Sequence, residues 1–194
     1  IWVAGYIVRD PSRVVSNWRA DGSLEDALIT DGVVGISGID TRAVTRHIRS
    51  AGSMRGGIFS GEAADLDAEA QLSIVREAPQ MAGQNLSAAV SVVTTEVTEA
   101  VGVRLGNLAV LDLGVKQATV DNLAARGFDV HVLPQNVTFD EVQAIDPVAV
   151  FYSNGPGDPG ASDDHVALLR SVLDAKLPLF GICFGNQLLG RALG

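Results

Sequence analysis

Four short apolar runs, alternating with helical patterns, constrain this chain more than any other feature. "LAVLD" (residues 108–112), "FDVHVL" (128–133), "PVAVFY" (147–152) and "PLFGI" (178–182) are rich in Val, Leu and Phe. Runs of that length and composition read as strands of a parallel sheet, buried on both faces. Between them the pattern turns helical: residues 116–126 with Val120, Leu123 and Ala124 on one face, 138–145 opened by a capping box of Thr138 and Glu141, and 162–173 with Val166, Leu169, Val172 and Leu173 facing inward. The alternation predicts a doubly wound, mostly parallel α/β sheet over residues 107–194. Ligands of such sheets bind beyond the carboxyl ends of the strands, where Gly114, the loop 153–160 and Cys183 all fall.

Residues 1–100 are less periodic and predict a smaller mixed α and β domain. "IWVAGYIVRD" reads as strand from its first residue and "GGIFS" (56–60) as another, while Asp40 caps a helix over 41–50 with Val44 and Ile48 inward, and Asp65 opens a second helix that ends before Pro79. "TTEVTEAVGVRLGN" (94–107) reads as a connector, polar at first and punctuated by Gly102 and Gly106. Ile1 starts inside a strand pattern and Gly194 falls inside a helical one, so both ends read as cut.

Composition narrows the partners. Net charge is −9, divided as −5 over residues 1–100 and −4 over the rest, so each half repels a phosphate backbone and nucleic acid is not an expected partner. No apolar run approaches the roughly 20 residues of a membrane span. A single cysteine allows no internal disulfide and no multi-cysteine metal site, which together with the absence of a secretory leader pattern predicts a cytoplasmic protein.

That cysteine stands in "LPLFGICFGNQLLG" (177–190), with Gly181 before it and Gly185 after it. A strand running into G-x-C-x-G and then into a helix puts the middle residue on a sharp turn, and the glycines let backbones approach where a Cβ would collide. The N–H groups opening the helix stabilise an anionic sulfur, and that of Phe184 is the first candidate for an oxyanion formed on attack at an acyl carbon. A lone cysteine is most often a small core residue; its place after the fourth strand of a regular βα series favours catalysis. Gln187 lies one helical turn on, on the same face, where a solvated helix residue is the plainer reading.

The second loop is "SNGPGDPG" (153–160). Gly155, Gly157 and Gly160 form a literal G-x-G-x-x-G, which makes a nucleotide-binding module one reading. Pro156 and Pro159 remove donors that a pyrophosphate needs and Asp158 adds a negative charge, so a rigid turn exposing the backbone of Gly155 and Gly157 to a polar ligand fits better. An ordinary Pro-Gly turn is the third reading.

These residues carry a resemblance. "FGICFGNQLLG" with "SNGPGDP" upstream resembles the class I glutamine amidotransferases, whose elbow reads G-x-C-x-G-x-Q. "GIDTRAVTRHIR" (38–49), "GQNLSAAVS" (83–91) and "LDLGVKQATVDNLAARG" (111–127) resemble the small, glutamine-hydrolysing subunits of carbamoyl-phosphate synthetases. The resemblance implies that Cys183 is the nucleophile, that Gly155 and Phe184 supply oxyanion-hole amides, and that Gly157 and Gln187 help to hold L-glutamine. It implies ammonia passed to a large synthetase subunit, which joins it to bicarbonate with ATP to make carbamoyl phosphate for arginine and pyrimidine synthesis. No cofactor is then expected in this chain, ATP and magnesium belonging to the large subunit.

Two departures from that pattern matter. Asn186 stands where many members have histidine, which touches only local helix contacts. The general-base histidine, followed two places later by its orienting glutamate, is expected beyond Gly194, so residues 1–194 alone are expected to be inactive or crippled. His47, His131 and His165 read as surface or packing residues rather than as substitutes for that base. Two other readings stay open: a cysteine hydrolase of another α/β family, and a non-catalytic subunit that only binds the synthetase.

Overall fold

The computed structural model describes residues 3–194, which divide into two compact units between Gln80 and Met81. The first holds a pair of parallel three-residue strands, β1 (Gly5–Ile7) and β2 (Val34–Ile36), and three helices, α1 (Leu24–Thr30), α2 (Thr41–Ala51) and α3 (Ala68–Glu77). Each helix starts on a side-chain cap: Ser23 accepts from Asp26 N–H, Asp40 from Ala43 N–H and Asp67 from Ala70 N–H. The helix capped by Asp40 is the one expected.

Three expectations for this unit change. Residues 56–60 form no strand and meet no ladder partner among the described residues; Ile58 instead packs over β1, its Cδ1 lying 2.7 Å from where a Cβ on Gly5 would stand. The next helix opens at Asp67 rather than Asp65, since Gly61–Asp65 is a tight 3₁₀ turn and Leu66 and Asp67 are extended. Val44 and Ile48 are 38% and 43% exposed, not inward, and no described residue of this unit is fully buried. The start of the strand read from residue 1 lies partly outside the described residues.

The second unit carries a five-stranded sheet in the order β3-β5-β4-β6-β7, with β3 (Glu96–Thr98), β4 (Gly106–Leu111), β5 (Phe128–Leu133), β6 (Pro147–Tyr152) and β7 (Leu179–Gly181). The four expected strands are parallel; β3 lies antiparallel on β5. Residues 94–107, expected as connector, therefore include an edge strand, and residues 81–100, expected in the first domain, belong to the second unit. Pairing with β5 fixes their place, an interaction no local pattern encodes.

Alternation along β4 sends Leu108 and Val110 to one face of the sheet, and Ala109 and Leu111 to the other. On the first face Val120 and Ala124 of α4 (Gln117–Ala124) complete the core. On the second, Val142 of α5 (Phe139–Ala144), Val166, Leu169 and Val172 of α6 (Asp163–Asp174), and Phe184 and Leu188 of α7 (Phe184–Leu193) do so. Helices thus cover both faces, as doubly wound sheets require. The capping box of Thr138 and Glu141 forms. β7 differs from the buried strand expected: among the described residues it pairs with β6 alone, and Phe180 is 63% exposed beside Phe151. No helix among the described residues is long and apolar enough to cross a membrane.

Chain order and sheet order define a switch point. From β4 the chain moves through α4 to β5 on one side, then crosses back through α5 to β6 on the other. The loops after β4 and β6 consequently depart toward opposite faces and leave a crevice between them. Leu111, Tyr152 and Gly181 pair across neighbouring strands, so β4, β6 and β7 end level.

His165 in the first turn of α6 is buried, with Nε2 2.8 Å from Gln135 Oε1 and Nδ1 without a partner among the described residues. Burial pushes its pKa below the ordinary 6.5; contact with Gln135 and the charge of Asp164 oppose this more weakly. The unfolded chain then binds more protons than the folded one, so stability present above the unfolded value is lost as pH falls through it. Denaturation of the full-length protein followed from pH 8 to pH 5.5 is expected to show this slope, and His165→Gln is expected to flatten it.

Candidate active site

The turn between β7 and α7 is a sharp strand-to-helix elbow. Cys183 is its apex, with φ 53° and ψ −107°, a conformation that L-residues rarely adopt. Both flanking glycines are steric requirements. A Cβ on Gly181 would lie 2.8 Å from the Gly185 carbonyl carbon, and one on Gly185 would run into the Tyr152 carbonyl oxygen and lie 2.7 Å from Tyr152 Cβ. The close approach is fastened by Ile182 N–H donating to Tyr152 O at 3.0 Å and Gly185 N–H donating to Ser153 O at 3.1 Å.

Beyond the apex, α7 turns Phe184 and Leu188 into the core and leaves Cys183 and Gln187 exposed, four residues apart on one side. Gln187 N–H donates to Cys183 O at 3.0 Å. The far end of α7 is tied down by Arg170, which donates to the carbonyls of Arg191 and Ala192, and by Arg191, which donates to Pro159 O and pairs with Asp163 at 2.7 Å.

Next to the elbow, residues 153–158 leave β6. Ser153 is buried; its Oγ accepts Leu113 N–H at 2.9 Å and donates to Asn154 O at 2.8 Å, while Asn154 Nδ2 donates to Gly114 O at 2.7 Å. Gly155 packs on Leu113, where a Cβ would stand 2.9 Å from Leu113 Cβ. Gly157 has φ +112°, and a Cβ there would meet Gln84 O at 2.9 Å and Leu86 N at 3.0 Å. Among the described residues, no protein acceptor engages the N–H of Gly155 or of Phe184.

Two carboxylates that the sequence reading left without a role organise this rim. Asp158 accepts from Gly83 N–H and Gly160 N–H, each at 2.8 Å. Those N–H groups, assisted by the charge of Arg191, hold its carboxyl below the usual carboxylate range. Buried Asp112, just past β4, accepts from Val92 N–H at 2.7 Å, Gly114 N–H at 2.9 Å and Val115 N–H at 2.8 Å. Their signal was present only as position, an aspartate directly after a strand or inside a glycine turn. The nucleotide reading loses its support, because Asp158 takes up loop donors with a carboxylate where a pyrophosphate would need them free.

The three histidines lie on other elements. His47 is exposed on α2, His131 sits within β5 opposite Val97 and Ala109, and His165 is bound to Gln135. Burial lowers the pKa of His131, against the opposing charge of Asp129.

Strained elbow, glycine turn and level strand ends together define an α/β protein with an exposed cysteine at the carboxyl edge of its sheet, and residues 109–194 match the family model for glutamine amidotransferase class-I. Residues 1–58 match that for the carbamoyl-phosphate synthase small chain, CPSase domain. Over 194 residues the chain is 56% identical to the carbamoyl phosphate synthase small chain of Streptomyces avermitilis and 54% identical to that of Streptomyces coelicolor, covering all of this chain and 51% of each relative. It is 53% identical over 196 residues to the small chain of Mycobacterium leprae, covering all of this chain and 52% of that protein. Over its whole length the chain is thus similar to carbamoyl-phosphate synthase small chains. It spans about half the length of the curated relatives it matches.

Gly185→Ala forces its methyl into Tyr152 and is expected to cost about 1–3 kcal/mol, the range for overpacking a tight site. Cys183→Gly relieves a strain of about 1–3 kcal/mol against an entropic cost of about 0.5–1 kcal/mol, so it is expected to stabilise. Denaturant midpoints of the full-length variants check both signs.

Proposed function

We propose that this chain is part of the glutamine-hydrolysing subunit of a carbamoyl-phosphate synthetase. Its glutaminase reaction releases ammonia to a large synthetase subunit, where bicarbonate and ATP, with magnesium, complete carbamoyl phosphate. The observation that carries the reading is the elbow. An exposed cysteine at positive φ, at the mouth of a helix and beside unengaged N–H groups, matches what acyl transfer from a carboxamide requires.

In the proposed reaction the Cys183 sulfur bonds to the side-chain carbonyl carbon of glutamine, and the carbonyl π electrons move onto oxygen. The N–H groups of Phe184 and Gly155 are assigned to that oxyanion, a kind of donor whose removal costs roughly 10²–10³ in rate. Gly157 and Gln187 are assigned to the substrate. The tetrahedral adduct collapses to a thioester as nitrogen takes up a proton and leaves as ammonia. Water then displaces sulfur, giving glutamate and the free thiol. Both proton transfers need a base, which the reading places in a histidine held by glutamate outside residues 1–194.

In the full-length protein, Cys183→Ser is expected to abolish ammonia release from glutamine. A chloroketone analogue of glutamine is expected to label Cys183, with glutamine protecting it. Undiminished ammonia release by the serine variant, or faster turnover of esters or peptides than of glutamine, would overturn the reading.

A further inference from the structure

Residues 83–92 form a strap along the rim, and both of its ends finish on a carboxylate. At one end Gly83 N–H reaches Asp158 Oδ2 at 2.8 Å and Gln84 O receives Asp158 N–H at 2.9 Å. At the other, Val92 N–H reaches Asp112 Oδ2 at 2.7 Å, and Ser91 Oγ receives Gln135 N–H at 2.9 Å. Between them Ser87 is buried, with its hydroxyl and N–H both on Asn85 Oδ1. The strap touches the glycine turn directly, since Gln84 O and Leu86 N occupy the space beside Gly157 that a Cβ would need.

We propose that Asp158 is a positioning residue of the glutaminase site, tying this strap to the turn that carries Gly155 and Gly157. The inference rests on the glutaminase reading above. Asp158 spends its two oxygens on different segments: Oδ1 closes its own turn on Gly160 N–H at 2.8 Å, and Oδ2 reaches across the chain to Gly83. A residue that only capped the local turn would need just the first. Asp112 sets the matching end, because the oxygen not used by the strap orders Gly114, whose carbonyl receives Asn154 Nδ2. The turn is therefore held against the strap on one side and against the loop after β4 on the other, and neither contact passes through Cys183.

Asparagine at position 158 keeps one acceptor and loses the other; alanine loses both. In the full-length protein, Asp158→Ala is expected to lower glutaminase kcat/KM about 100-fold and Asp158→Asn about 10-fold, mostly in kcat, because displaced amides stabilise the transition state less. Labelling of Cys183 by the chloroketone analogue is expected to slow in step. Labelling by methyl methanethiosulfonate, which needs no oxyanion site, is expected to hold. A kcat/KM within about twofold of the parent in Asp158→Asn overturns the proposal, as does a loss matched by equally slower thiosulfonate labelling. Should Asp158→Ala not fold, Asp158→Asn alone carries the test. Cys183→Ser in the same assay separates the two ideas: if it retains activity the glutaminase reading fails, whereas its inactivity with an unaffected Asp158→Asn removes only the role of Asp158.

Discussion

The backbone contact between the start of α7 and the end of β6 holds the rest of the site in place. Gly185 brings its Cα onto the Tyr152 carbonyl and its N–H onto Ser153 O, a close approach that a Cβ would obstruct. That contact fixes where α7 begins, which in turn fixes the backbone of Cys183 at positive φ. Such a conformation costs about 1–3 kcal/mol and persists only where surroundings over-determine it. The surroundings are the buried Phe184 and Leu188 side chains one residue and five residues on. Each contributes about 1.5–3 kcal/mol by burial, an upper estimate, and together they offset the strain of the apex.

Topology explains why the cysteine, the glycine turn and the loop after β4 are neighbours although they lie far apart in sequence. The crossover from β5 to β6 passes over β4, so the loops at 112–115 and 153–158 diverge from adjacent strands whose ends are level. β7 adds the elbow at the same height on the outer side of β6. The interactions that finish this rim are polar and long in sequence separation, as in Leu113 N–H to Ser153 Oγ and Asn154 Nδ2 to Gly114 O.

Residue pattern made some of this legible and concealed the rest, for physical reasons. β4, β5 and β6 were readable because strands covered on both faces must be apolar throughout, and α6 because Val166, Leu169 and Val172 recur at helical spacing toward one core. The elbow was readable because its glycines answer a local steric demand. β3 was not, since three residues at a sheet edge with Val97 54% exposed carry no burial pattern. Nor was the division after Gln80, which depends on Gly83 meeting Asp158 and Val92 meeting Asp112. The same contacts were invisible as parts of the site, because a carboxylate that binds backbone N–H groups across the fold has no preferred spacing from its partners.

The two units owe their order to different forces. In the first, the helices start on Ser23, Asp40 and Asp67, each such cap contributing about 1 kcal/mol, and no described residue is fully buried. Its Arg76–Glu69 pair adds little, with side chains 65% and 81% exposed. In the second, two apolar clusters sandwich the sheet and carry the elbow, the turn and the strap. Every residue assigned here to glutamine chemistry lies in that second unit, where packing is dense enough to keep a strained residue strained. Placing the chemistry there follows from what it requires: amides held still while charge develops, which only a backbone fixed by buried neighbours provides.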